Sequence, residues 1–91
     1  MVRAHVYITG TVQGVFYRSH ARQKAHQLKL SGWVKNIFTP QFTGVEAVFE
    51  GDKDKVEAMI QWCHQGSPGS QVEDIKLNWE KPQNLSDFQI L

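Results

Sequence analysis

The spacing of the apolar residues changes within the first 30 positions, and that change limits the fold more than any other feature. Val2, Ala4, Val6, Ile8 and Val12 alternate with Arg3, His5, Tyr7, Thr9 and Thr11. A period of two is that of a strand with one buried face and one wet face. From Arg18 to about Leu30 the period becomes helical: Ala21, Ala25 and Leu28 form an apolar stripe, and Gln23, Lys24 and Gln27 face water. Small alanines let such a helix lie close against a sheet. Between the two lies Gly10-Thr11-Val12-Gln13-Gly14-Val15-Phe16-Tyr17-Arg18, a glycine-bearing turn from strand to helix.

The rest of the chain repeats this alternation. Ser31-Gly32 is expected to stop the first helix, and Trp33 to Phe38 reads as a second strand. Pro40 and Gly44 make residues 39–44 a loop, and Val45 to Glu50 reads as a third strand hairpinned to the second. Asp52 is the expected N-cap of a second helix, whose Val56, Met59, Ile60 and Cys63 fall at i, i+3, i+4 and i+7. Gly66-Ser67-Pro68-Gly69-Ser70 ends it. Ile75, Leu77 and Trp79 alternate with Asp74, Lys76, Asn78 and Glu80 as a fourth strand, and residues 88–91 form a short last strand or an extended tail.

The order is βαββαβ. Two amphipathic helices cover one face of the sheet, which gives an α+β two-layer sandwich. Right-handed crossover makes the first and second strands parallel, so both end at the same edge of the sheet. The glycine turn leaves the first strand there and Asn36 lies near the end of the second. Topology thus brings Arg18 and Asn36 near one another.

The turn can also bind an anion. Its glycines allow a ligand close to the backbone, successive N–H groups can point into one concavity, and the helix start adds unpaired donors and a positive dipole end. Arg18 adds a guanidinium suited to phosphate, unless it is an ordinary surface cation. The turn lacks Gly-Lys-Ser/Thr and does not match Gly-x-Gly-x-x-Gly, so no nucleotide is implied.

With 91 residues, the whole of 1–91 is expected to be a single domain. A net charge of +1 offers no basic stripe for nucleic acid, and no apolar run approaches the ~20 residues of a membrane helix. Met1-Val2-Arg3-Ala4-His5 lacks a secretory apolar region and Cys63 is the one cysteine, so a cytoplasmic monomer without disulfides is expected. His5, His20, His26 and His64 have no Cys, Asp or Glu at ligand spacing, so neither a metal nor another cofactor is expected. Cys63 falls on an apolar stripe and reads as a buried, inert thiol.

Val12-Gln13-Gly14-Val15-Phe16-Tyr17-Arg18 resembles the first signature of the acylphosphatases, and Gly32-Trp33-Val34-Lys35-Asn36 resembles their second, at the family's usual separation. The Gly66-Ser67-Pro68 turn and the Asp87-Phe88 ending are also similar. The resemblance implies a ferredoxin-like sandwich with sheet order 4-1-3-2 of antiparallel strands. It also implies hydrolysis of a carboxyl–phosphate mixed anhydride to carboxylate and inorganic phosphate. Gly14, Val15, Phe16, Tyr17 and Arg18 would cradle the phosphoryl group. Arg18 and Asn36 would be catalytic, the second orienting the attacking water.

Such a sparse site suits this reaction. The leaving carboxylate has a conjugate acid of pKa about 4, so no general acid is required. His20 is the candidate base if one is needed, and Gln13 is expected to shape the loop. Trp33, Trp62 and Trp79 read as packing groups, with Trp33 also a candidate for the mouth of the site. Tyr17 stands where the family usually has Phe, and its hydroxyl needs a partner. Residues 37–43 make a longer connection than the family usually carries. The alternative is a ferredoxin-like module that binds a phosphate or phosphoanhydride without turnover, or serves regulation.

Overall fold

The computed structural model describes residues 1–14 and 16–91. The elements in chain order are β1 (Val2–Thr11), α1 (Tyr17–Gln27), β2 (Ser31–Phe38), β3 (Thr43–Gly51), α2 (Lys53–Gln65), β4 (Gln71–Glu80) and β5 (Phe88–Ile90). They build a ferredoxin-like sandwich whose sheet runs β4-β1-β3-β2-β5. The first four positions match the expected order. The tail adds β5, which pairs parallel to β2 and makes the sheet mixed. β1 and β2 both run antiparallel to β3, so they are parallel to each other and finish at one edge, as the crossover rule requires.

The core lies between the helices and one sheet face. Ala4, Val6 and Ile8 of β1 stand opposite Phe49, Ala47 and Val45 of β3. Tyr17, Ala21 and Ala25 of α1 and Val56, Met59 and Cys63 of α2 close over them. The alanines of α1 and the i, i+3, i+7 stripe of α2 are the residues that spacing singled out.

Several local expectations are corrected. The first helix ends at Gln27, earlier than about Leu30. Lys29, with φ 57, turns the chain, and Ser31 and Gly32 belong to β2. Gly32 is required there by packing: a Cβ on it would sit 1.8 Å from the Val48 carbonyl oxygen. Asp52 does occupy the N-cap, and its carbonyl accepts from the N–H groups of Lys55 and Val56, but its side chain makes no capping bond.

The second face of β1 is not simply wet. β1 and β3 are central strands, so side chains on that face are flanked on both sides. Arg3 is buried in ion pairs with Glu50 and Glu80, each at 2.9 Å. His5 stacks on Tyr7 at 5.0 Å, Trp33 meets His5 edge-on, and Phe42 meets Tyr7 edge-on. Conversely, Leu77 and Trp79 of β4 are exposed. Their alternation is that of a buried face, but β4 is the outermost strand.

Candidate functional site

A cavity of about 240 Å³ opens at the edge where β1 and β2 both end. Gly14, Phe16, Tyr17, Arg18 and Ser19 line it from the strand-to-helix turn, and Asn36 lines it from β2, with Val12 and Ile90 as apolar walls. Arg18 and Asn36, eighteen positions apart, thus share one concavity. Val15, the remaining expected cradle residue, lies outside the described residues.

The turn takes its shape from residues with positive φ. Gly14 has φ 75, and a Cβ built on it meets nothing within 4 Å. Phe16 has φ 59, in the left-handed region that non-glycine residues rarely adopt. It is the N-cap of α1, without a side-chain capping bond and without an acidic residue in the first turn. The first N–H groups of a helix have no intrahelical partner, and the residues of this first turn border the cavity. The start of α1, with its positive dipole end, and Arg18 therefore border one space.

Asn36 pairs in register with Val45, which is buried on the helix-facing side of the sheet. Its Oδ1 is buried with no hydrogen-bond partner among the described residues. Such an atom costs about 1–3 kcal/mol unless something else satisfies it. Arg18 is half-buried as a residue, and its Nη1 reaches the Leu91 main-chain oxygen at 3.5 Å, an exposed contact at the limit of a hydrogen bond.

Other candidates fall outside the cavity. The Nδ1 of His20 is 2.9 Å from the Phe16 carbonyl oxygen, and His20 is not among the described lining residues. Trp33 is not there either: it packs beneath Lys35 and beside His5 on the opposite sheet face. Cys63 is fully buried, and burial pushes its thiol up to about 12. The longer connection closes tightly, with the Thr39 N–H donating to the Phe42 carbonyl at 2.8 Å. None of residues 37–43 lines the cavity among the described residues. Ser19 and Ile90 do line it and carried no motif signal. Ser19 follows from the helical position next to Arg18, whereas Ile90 arrives only because the tail pairs with β2.

The acylphosphatase family model matches residues 4–90. The chain belongs to the acylphosphatase family. An acylphosphatase of Synechococcus sp. is 49% identical over 89 residues, covering 98% of this chain and 92% of its own length. One of Natronomonas pharaonis is 44% identical over 89 residues, covering 98% and 94%. The crystal structure of the acylphosphatase from Bacillus subtilis superimposes with a TM-score of 0.92 at 30% identity, covering 100% of this chain and 99% of that one. The chain is thus an acylphosphatase-family hydrolase, and acyl phosphate hydrolysis is its reaction. No described helix is long and apolar enough to cross a membrane.

Proposed function

We propose that this acylphosphatase works by in-line attack of a water held by Asn36 on a phosphoryl group cradled by residues 14–18. The backbone N–H groups of the turn hold the phosphoryl oxygens and the Arg18 guanidinium fixes them. The P–O bond to the acyl group breaks, the acyl oxygen leaves as carboxylate, and the water oxygen becomes part of inorganic phosphate. The carboxylate leaves without protonation, so positioning and charge balance supply the catalysis. The water's proton passes to a phosphoryl oxygen, because no carboxylate or imidazole borders the cavity among the described residues. With so good a leaving group the reading needs neither metal nor cofactor.

The observation that carries it is the Asn36 amide oxygen, buried and unpartnered while its residue lines the cavity. A side-chain amide at the cavity wall can order a water through its nitrogen or its oxygen and leave a water lone pair free for attack. The substrate is a small acyl phosphate. The chain acts as one domain and a cytoplasmic monomer, apart from nucleic acid and membranes. The net charge of +1 and one buried cysteine support this part of the reading.

The test is hydrolysis of benzoyl phosphate in the presence of EDTA by wild type, Arg18→Ala and Asn36→Ala, with folding checked by circular dichroism. Loss of one preorganised group of this kind costs about 100-fold or more in turnover. Arg18→Ala should also weaken competitive inhibition by inorganic phosphate, which Asn36→Ala should leave intact. Equal rates in the three folded proteins would overturn the assignment.

A further inference from the structure

We propose that Gln13 is a positioning residue that aligns Asn36 with the phosphate cradle. Its Nε2 donates to the Ile37 carbonyl at 3.2 Å and to the Gly44 carbonyl at 2.7 Å. Ile37 directly follows Asn36, and Ile37 and Gly44 are register partners across β2 and β3. Gln13 itself lies between Val12 and Gly14, both of which line the cavity. One amide group therefore joins the part of the chain that holds phosphate to the part that holds the water.

The topology leaves room for such a tie. β1 and β2 are not neighbours, since β3 lies between them. The β1–β3 ladder runs from Val2–Gly51 to Ile8–Val45, so it ends before the turn begins. A primary amide carries two N–H donors, and both accepting carbonyls belong to the paired ends of β2 and β3. Their separation is set by the β2–β3 ladder. The amide therefore holds the turn to a rigid element and not to another loop. A displacement of about 1 Å between reacting groups is enough to cost about 100-fold in rate. The inference rests on the assignment of Asn36 to the attacking water.

The test uses Gln13→Glu, which keeps the shape and removes both donors, and Gln13→Met, which keeps the length and removes all polarity. With benzoyl phosphate, kcat should fall about 10-fold or more in each, while the inhibition constant of inorganic phosphate stays within about twofold. In NMR spectra, the Asn36 side-chain amide signal should shift in both variants, while the Arg18 backbone amide keeps its response to added phosphate. Wild-type kcat in both variants would overturn the inference. So would a loss of phosphate binding as large as the loss of kcat, which would make Gln13 a cradle-shaping group. Unfolding of both variants would overturn it too, since the amide would then hold the fold. An Asn36→Ala enzyme as fast as wild type would instead defeat the assignment beneath it.

Discussion

Tyr17 donates its hydroxyl to the backbone carbonyl of Cys63, 46 positions away, at 2.9 Å. Tyr17 is the first residue of α1, and Cys63 lies in the last turn of α2. Carbonyls in a last helical turn have no intrahelical partner. The Trp62 carbonyl takes the Gly66 N–H at 2.7 Å, and the Cys63 carbonyl takes the phenol. One hydrogen bond thus pins the end of the phosphate turn to the second helix. Burial holds the phenol well above its usual pKa, so it stays a donor at any working pH. Tyr17→Phe should keep the ring packed on Trp62 and leave a buried carbonyl unpaired. Urea unfolding should show a loss of about 1–3 kcal/mol, with turnover near that of wild type because the phenol does not reach the reacting atoms.

Acid should weaken the fold through Glu50. Its carboxyl is fully buried, and burial alone would raise its pKa. The Gln83 N–H at 2.7 Å, Arg3 at 2.9 Å and the Leu85 N–H at 3.0 Å together outweigh that effect and hold it below the usual carboxylate range. The Arg3 and His5 hydrogen bonds lower the partly exposed Glu80 in the same direction. An unfolded chain takes up these protons near the ordinary value of about 4.3. The stabilisation is therefore fully present above that pH and is lost as pH falls through the lower folded values. Urea melts between pH 7 and pH 3 should show this decline in wild type and a shallower one in Glu50→Gln. Equal slopes would remove Glu50 as the cause.

These two relationships mark where reading the sequence stops. The strand and helix spacings, the βαββαβ order and the meeting of Arg18 with Asn36 were legible, because periodicity and crossover handedness act locally or through simple geometry. The burial of Arg3 was not. Its alternation places it on the second face, and only the pairing of β1 between β3 and β4 encloses it. The exposure of Leu77 and Trp79 has the converse cause, an edge position that no local pattern announces. The two carbonyls held by Gln13 and the one held by Tyr17 depend on tertiary contacts 24 to 46 positions away. The same holds for the tail, whose pairing with β2 brings Ile90 to the cavity wall.

The thiol of Cys63 should be chemically silent in the native protein. With its pKa pushed up to about 12 by complete burial, the reactive thiolate is scarce at pH 8. A disulfide reagent such as DTNB should label it only at the rate of unfolding, and fully in urea. Benzoyl phosphate turnover should survive prolonged exposure to the reagent. Rapid native labelling with loss of activity would bring a cysteine nucleophile back into consideration.

Two glycines separate stability from binding. Gly32 has φ 137, and an added Cβ would meet the Val48 carbonyl oxygen at 1.8 Å. That atom is backbone within the β2–β3 ladder, so one strand must move. The Gly32 N–H also holds the Asp87 carbonyl at 2.8 Å, just ahead of β5. Gly32→Ala should cost about 3 kcal/mol from strain and overpacking together. Gly14 has φ 75 with open space around the same position. Gly14→Ala should cost only the left-handed backbone penalty of about 1–2 kcal/mol. Its methyl group would, however, stand beside the phosphate turn. Inhibition by inorganic phosphate should therefore weaken in folded Gly14→Ala and stay close to wild type in whatever fraction of Gly32→Ala folds. Measuring that inhibition constant beside the urea midpoint of each variant decides it, and the reverse ranking would place the anion away from Gly14.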